Sequence, residues 1–143
     1  MILKSLMKSA ALALILALAT GSAAMAADPV KKHRVVFQLN TGEASWGMAM
    51  NNVMIMQKTL GKENVDIELV ANGAGLGMLK IDTTEGPRLA EAIKNGITVY
   101  ACGQTMKATK VSEKDLYPGV QVVPGGNLEV MYKQEAGWTY LKI

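Results

Sequence analysis

Residues 97–101, ITVYA, form an almost continuous apolar run that ends at Cys102 and Gly103. A run of strand length without polar alternation is typical of a strand covered on both faces, as parallel strands in α/β proteins are. Cys102 is the only cysteine among the 143 residues. The sequence therefore predicts a buried parallel strand that carries the one thiol at its carboxyl end.

Strands and helices alternate outward from this run in both directions. The predicted strands are 34–40, 65–71, 97–101, 120–123 and 138–143, and the predicted helices are 43–60, 85–94 after the N-cap Thr84, a short one begun by Ser112, and 127–135. Residues 76–84 are ambiguous, with a helical turn as one interpretation. The alternation favours one α/β domain, an open parallel sheet of about five strands with right-handed crossovers and helices on both faces.

The carboxyl ends of the predicted strands define a candidate ligand crevice. In open parallel sheets, ligands bind outside these ends. Here the strand ends carry polar and glycine-rich segments, among them 40–42, 72–75 and 124–126. The residues that we expect at the crevice with Cys102 are Asn40, Gly73, Gly75, Gly103, Thr105 and Lys107.

Cys102 itself has two interpretations that the spacing leaves open. It stands where the next helical segment begins, and N–H groups at a helix N-terminus stabilise an anion and lower the pKa of a thiol. Lys107 is close enough in sequence to add positive charge. The alternative is a small hydrophobic residue packed on a buried strand.

Other chemistry-bearing residues have structural interpretations that we favour. The glycines at 73, 75 and 77 suggest an anion-binding loop, but the full phosphate-binding patterns are absent, so a tight turn is preferred. The methionines at 48, 50, 54 and 56 suggest Cu(I) binding, but they do not converge on one side of a helix, so core packing or an oligomer contact is preferred. His33, the only histidine, lies in a polar lead-in and reads as a free surface side chain. No residue set predicts a metal, a cofactor, a zinc enzyme or a Ser-His-Asp hydrolase.

The first 26 residues have the pattern of a cleavable signal peptide. Lys4 and Lys8 precede an apolar run at 10–19, and the small-x-small sequence Ala-Met-Ala at 24–26 marks the cleavage site. The apolar run is too short for a transmembrane helix, so we expect a soluble periplasmic domain at 27–143.

The charge and the cysteine count constrain this domain. The full chain has 15 Lys and Arg against 12 Asp and Glu, and Lys4 and Lys8 leave with the signal. The nearly balanced remainder predicts neither nucleic-acid binding nor membrane attraction. The lone cysteine excludes an internal disulfide, so the thiol is inert, joined to another chain, or reactive.

Several stretches resemble the DsrE/DsrF-like proteins. They are 34–40, 65–71, the loop 73–76 and, above all, 101–108 with the sequence ACGQTMKA. The resemblance covers nearly all of the predicted mature chain. It implies a flavodoxin-like sheet, a homo-oligomer and a link to sulfur metabolism, with a cysteine in this region that carries sulfur as a persulfide.

These observations lead to a hypothesis and its rivals. In the first, Cys102 as thiolate accepts or passes sulfane sulfur, and a partner protein or small thiol resolves the persulfide because one thiol cannot do so alone. In the second, the protein is a non-enzymatic module that binds a small anion or assembles as an oligomer, and Cys102 is structural. Copper handling is a distant third.

Overall fold

The structure is a computed structural model that describes residues 31–143. The predicted signal peptide at 1–26 lies outside the described residues. The elements are β1 (His33–Leu39), α1 (Trp46–Leu60), β2 (Val65–Ala71), α2 (Gly86–Lys94), β3 (Thr98–Cys102), α3 (Gly103–Thr109), β4 (Gln121–Val123), α4 (Gly126–Glu135) and β5 (Thr139–Lys142). Short 3-10 segments lie at Glu43–Ser45, Gly73–Leu79 and Glu113–Asp115.

The five strands form one sheet in the order β4-β3-β2-β1-β5, and every pairing is parallel. This confirms the predicted α/β class, an open flavodoxin-like parallel sheet with helices. The chain steps in one direction from β1 to β4, so right-handed crossovers place α1, α2 and α3 on one face. It then returns over the other face through α4 to β5, which pairs with β1.

The face under α1, α2 and α3 holds the main apolar core. Strand residues on this face include Leu39, Leu69 and Val99, each at most 1% exposed. From α1, Ala49, Met50 and Val53 pack against them, together with residues of α2, α3 and the 3-10 segment Gly73–Leu79. The buried residues of α1 recur at helical spacing and form the face that packs on the sheet.

The opposite face, under α4, is smaller and more polar. Its apolar cluster has only Val36, Val70 and Val130 at its centre. Two polar strand residues, Gln38 and Glu68, are buried beside them. The two faces of the sheet thus differ in chemistry as well as in the number of helices that cover them.

Four local predictions differ from the structure. Thr84 does not cap the second helix, since α2 begins at Gly86 with Pro87 in its first turn and Glu85 as its N-cap residue. The glycines predicted to form a tight turn at 73–77 lie in a 3-10 segment, Gly73–Leu79, which agrees with the helical-turn interpretation for residues 76–79. His33 is the first residue of β1, although its side chain is exposed as expected. The short helix predicted to begin at Ser112 is a 3-10 segment, with a capping box between Ser112 and Asp115.

Candidate functional site

Cys102 lies at the point where the sheet changes its connectivity. It is the last residue of β3 and pairs with Val123, the last residue of β4. The chain leaves β3 into α3 on one face of the sheet and leaves β4 into α4 on the other. A crevice opens between adjacent strands whose connections diverge in this way, which is where ligands of open α/β sheets bind. The predicted strand-end position of the thiol therefore coincides with the switch point of the fold.

The thiol points toward α4, the helix on the polar face. Its Sγ accepts a hydrogen bond from the backbone N–H of Gly126, the first residue of α4, at 3.1 Å. The close approach of α4 favours a glycine, because a Cβ on Gly126 would lie 3.2 Å from the Cβ atoms of both Asn72 and Cys102. Cys102 also stands at the N-cap position of α3, so the sulfur lies between two helix N-termini.

Two opposing effects set the pKa of this thiol. Cys102 is 5% exposed, and burial raises the pKa of the thiol by disfavouring the thiolate. Hydrogen bonds from the Thr105 hydroxyl and the Gly126 N–H, and from two N–H groups in the first turn of α3, lower it. The hydrogen bonds prevail, so the pKa of Cys102 lies below its ordinary value. A lowered pKa increases the thiolate fraction near neutral pH.

Thr105 links the thiol to the neighbouring segment. Its Oγ1 accepts a hydrogen bond from the Gly73 N–H at 3.0 Å, and its side chain contributes the largest lowering of the pKa of Cys102. Gly73 adopts a positive φ of 54°, which glycine tolerates best. The Gly73 N–H therefore binds one lone pair of the Thr105 oxygen. The hydroxyl proton of Thr105 remains available to the thiolate of Cys102.

A pocket of about 280 Å³ opens beside the sulfur. Its lining residues are Asn72, Cys102, Gln104, Thr105, Gly125, Gly126, Asn127 and Leu128. None of these lining residues has a charged side chain, and three of them carry amides. The first turn of α4 contributes backbone N–H groups, and its N-cap residue Gly125 has no side chain to cap them. The pocket thus offers neutral hydrogen-bond donors around a thiol.

An amide network lies directly behind the pocket. Gln38 Nε2 donates to Asn127 Oδ1 at 2.7 Å and to Asn72 Oδ1 at 3.3 Å. Tyr140 on β5 donates from its hydroxyl to Gln38 Oε1 at 2.7 Å. The buried Gln38 therefore joins β1, β5, the end of β2 and the start of α4 next to the thiol.

The predicted site residues divide into those near the sulfur and those that support it. Thr105 acts on the thiol directly, and Gly73 acts through Thr105. A Cβ on Gly75 would lie 2.3 Å from the carbonyl oxygen of Leu39, and a Cβ on Gly103 would lie 2.9 Å from that of Val123, so both glycines permit close backbone packing. The carbonyl oxygen of Asn40 lies near Gly73 in the same way, 3.7 Å from the Cβ position. Of these five predicted residues, only Thr105 lines the pocket.

The proposed contribution of Lys107 is not seen. Lys107 is exposed on α3, does not line the pocket, and is not among the main groups that shift the pKa of Cys102. A residue five positions along a helix lies about 140° around its axis, which directs its side chain away from the start. Hydrogen bonds, and not a lysine charge, lower the pKa.

Sequence reasoning missed several residues near the thiol, namely Gln38, Asn72, Gln104, Gly126, Asn127 and Tyr140. The segments 72–75 and 124–126 were recognised as strand ends, so their position was a usable signal for Asn72 and Gly126. Gln38 lies inside a strand, and nothing in its local sequence separates it from an exposed polar residue.

Metal chemistry has no candidate centre in the part of the chain that the structure describes. Among residues 31–143, no three His, Cys, Asp or Glu side chains are grouped closely enough to hold a metal ion. The methionines of α1 diverge as predicted, since Met50 is buried in the core and Met48 is 53% exposed. Within the same residues, no helix is long and apolar enough to cross a membrane.

The fold and the site define an α/β protein with a single hydrogen-bonded thiol at the switch point of an open parallel sheet. The chain belongs to the DsrE/DsrF-like family, whose sequence profile matches residues 9–143. This confirms the family that the residues around Cys102 resemble. Among curated proteins, none matches the sequence.

Solved structures agree with this assignment. A protein of unknown function from Methanobacterium thermoautotrophicum is 30% identical, with a TM-score of 0.74, over 78% of this chain and 100% of that chain. A conserved protein of unknown function from Bacteroides thetaiotaomicron is 18% identical, with a TM-score of 0.63, over 77% of this chain and 94% of that one. The ychN protein from E. coli is 17% identical, with a TM-score of 0.60, over 79% and 99%. The last two show a common fold only.

Proposed function

We propose that this protein is a sulfur carrier in which Cys102 accepts sulfane sulfur as a persulfide and passes it to a second thiol. The observation that carries the proposal is the buried thiol whose pKa is lowered by hydrogen bonds from Thr105 and the first residue of α4. Membership of the DsrE/DsrF-like family, with its link to sulfur metabolism, also supports a sulfur-carrier function.

The loading step is a thiol exchange that needs no external oxidant or reductant. The Cys102 thiolate attacks the outer sulfur of a donor R–S–SH, a new S–S bond forms at Sγ, and the donor S–S bond breaks. The leaving group departs as RS⁻ with the electron pair of the broken bond, and the transferred sulfur keeps its proton. Unloading is the same exchange, in which an acceptor thiolate attacks the outer sulfur and Cys102 leaves as thiolate.

The pocket is suited to hold the outer sulfur atom. The sulfur of Cys102 is nearly buried, so a partner thiol reaches it only through the pocket of about 280 Å³. A persulfide extends the side chain by one atom into this space. Cys102 has no second cysteine in the chain to resolve it, so the acceptor is a small thiol or a cysteine of another protein.

We extend the proposal to location and assembly. The pattern of the first 26 residues supports export through a cleavable signal and a periplasmic site of action. An apolar groove lies between α1 and β5, with Ile55, Met56, Leu60, Leu141 and Ile143 among its lining residues. Ile55 in it is 61% exposed, which supports burial against a second copy in a homo-oligomer.

The rival function is a non-enzymatic module in which the pocket binds a small anion or serves assembly, and Cys102 is structural. The uncapped N-terminus of α4 at the pocket favours anion binding. The two functions differ in one property, the reactivity of the thiol in the native protein.

The test compares Cys102 with an ordinary thiol on the same protein. The purified protein is incubated with inorganic polysulfide at neutral pH, and its intact mass is measured before and after treatment with a small thiol. A matched control carries Cys102→Ser with Gln134→Cys, which moves the thiol to an exposed position on the last turn of α4.

We expect the wild-type protein to gain the mass of one sulfur atom and to lose it to the small thiol. The control protein should load more slowly, because its thiol lacks the donors that stabilise the thiolate. Failure of the native wild-type protein to gain sulfur and to react with iodoacetamide at neutral pH would exclude the sulfur-carrier function and leave the rival.

A further inference from the structure

We infer, resting on the proposed function, that Asn127 recognises the anionic sulfur donor in the pocket and that Gln38 is the positioning residue that aims its amide. Asn127 is the second residue of α4 and lines the pocket beside Cys102. Neither residue is required by the exchange chemistry described above. Their arrangement gives the pocket a preference for negatively charged reagents.

The first step of the argument is the way in which Gln38 is held. Its side chain is 7% exposed, between β1 and α4. Its Oε1 accepts from the Tyr140 hydroxyl at 2.7 Å, and its Nε2 donates to Asn127 Oδ1 at 2.7 Å and to Asn72 Oδ1 at 3.3 Å. The buried amide has a partner for its oxygen and for each proton of its nitrogen, so its orientation is defined.

The second step concerns Asn127. Its Oδ1 accepts from Gln38 Nε2 and from Asn72 Nδ2, the latter at 3.4 Å. The amide oxygen of Asn127 therefore faces Gln38 and Asn72. The amide nitrogen of Asn127 lies on the side away from them. Within residues 31–143, Asn127 Nδ2 donates to no other residue, and the side chain is exposed at the pocket.

The third step is electrostatic. The Cys102 thiolate is negative, and a polysulfide whose terminal sulfur is protonated for attack still carries a negative charge at its other end, so the reactants repel one another. The residues that line the pocket have no Lys or Arg to offset this repulsion. An N–H donor from a fixed neutral amide supplies the required attraction, since a hydrogen bond to a charged group is stronger than one between neutral groups.

The test uses two alkylating reagents that differ in charge. Iodoacetate is an anion and iodoacetamide is neutral, and both react with a thiolate at carbon with loss of iodide. The ratio of their rate constants at Cys102 reports recognition of negative charge, whereas the iodoacetamide rate as a function of pH reports the thiol pKa. Polysulfide loading is measured on the same proteins.

The Asn127→Ala variant should lower the iodoacetate-to-iodoacetamide ratio and the polysulfide loading rate by roughly tenfold, the effect of one hydrogen bond to a charged group. The pH midpoint of iodoacetamide alkylation should stay unchanged. Gln134→Ala is the matched control, because Gln134 is an exposed amide on the last turn of α4 and does not line this pocket. It should leave the ratio at the wild-type value.

The positioning role of Gln38 is tested with two further variants. Gln38→Glu retains the shape but loses the donors to Asn127, and Tyr140→Phe removes the bond that holds Gln38 Oε1 while it leaves the ring in place. Both should lower the ratio in protein that is still folded by circular dichroism. Tyr140→Phe provides the test if the buried charge of Gln38→Glu prevents folding.

The outcomes separate this inference from the proposed function. A wild-type ratio that Asn127→Ala does not change, with Cys102 still reactive and still loaded by polysulfide, overturns the role of Asn127 and retains the sulfur carrier. An unchanged ratio in both positioning variants overturns the role of Gln38. A native thiol that reacts with neither reagent and takes up no sulfur refutes the proposed function, and the recognition role falls with it.

Discussion

The two faces of the sheet bury side chains of different polarity. The face under α1, α2 and α3 is an apolar core in which Leu69 and Met50 are fully buried. The face under α4 has a small apolar cluster, and it also buries Gln38, Glu68 and the thiol of Cys102. Buried polar groups cost free energy unless they are paired, and here Gln38 and Glu68 both have hydrogen-bond partners.

This contrast suggests a division of labour. The apolar face stabilises the domain, while α4 and the strand residues beneath it orient polar groups around one sulfur atom. The division can be tested by substitutions on each face that are followed by both unfolding and thiol reactivity. If the division between the faces is strict, the free energy of unfolding and the reactivity of the thiol depend on different residues.

The largest effect on stability is expected from the apolar face. Leu69→Ala should lower the free energy of unfolding by about 3 kcal/mol, because it removes a buried side chain and leaves a cavity. Denaturant unfolding measures the change. Under conditions where the variant is folded, its iodoacetamide rate at Cys102 should match that of the wild type, and a large fall in that rate would break the division between the faces.

The next-largest loss of stability is expected at the ion pair between Lys133 and Glu68 on the face under α4. Lys133 Nζ lies 2.5 Å from Glu68 Oε1, and its ammonium group lies 4.5 Å from the centre of the Trp138 ring. Lys133→Met leaves the Glu68 carboxylate buried without its cation and should lower the free energy of unfolding by about 2 kcal/mol at neutral pH. The double variant Glu68→Met with Lys133→Met should recover most of this loss.

The same pair predicts a pH dependence. Burial raises the pKa of Glu68 despite the bond to Lys133, so the unfolded chain releases this proton at a lower pH than the folded protein. The contribution of Glu68 to stability therefore falls as the pH rises from the ordinary carboxyl pKa through the raised one. Lys133→Met should make the fall steeper in unfolding measured from mildly acidic to neutral pH, and an unchanged slope would contradict this account.

The smallest effect on stability, and a clear one on reactivity, is expected at Thr105. Thr105→Val removes the hydroxyl bond to the sulfur, so the pKa of Cys102 should rise and alkylation at neutral pH should slow several-fold, with less than about 1 kcal/mol lost in stability. Lys107→Met on the same helix is the control and should change neither. A change in the pH midpoint of alkylation in Lys107→Met would show that Lys107 does lower the pKa of Cys102.

The lowered thiol pKa also links the site to stability. A group whose pKa is depressed by folding stabilises the protein above its unfolded pKa, and this contribution disappears as the pH falls through the folded pKa. The wild-type protein should therefore exceed Thr105→Val in stability more at alkaline pH than at acidic pH. Unfolding of both proteins across that range measures the difference.

The fold was largely predictable from the sequence, since the helix and strand periods are strong and their alternation leaves few topologies. The position of Cys102 followed from its place at the end of an apolar strand. Gln38 was not predictable, because its burial depends on the pairing of β1 with β5 and on the path of α4 over that face. Lys107 is not among the groups that shift the pKa of Cys102, because nearness in sequence ignores the rotation of a helix.

The hydrogen bond from Gly126 to Cys102 joins groups 24 residues apart in the chain. Before α4 docks on the sheet, this donor is remote from the sulfur, and the turn of α3 that contains Thr105 is not yet held by Gly73. The newly made polypeptide therefore carries a thiol with an ordinary pKa. Completion of folding therefore lowers the pKa of Cys102, and a lowered pKa at this position also reports that the domain has been assembled.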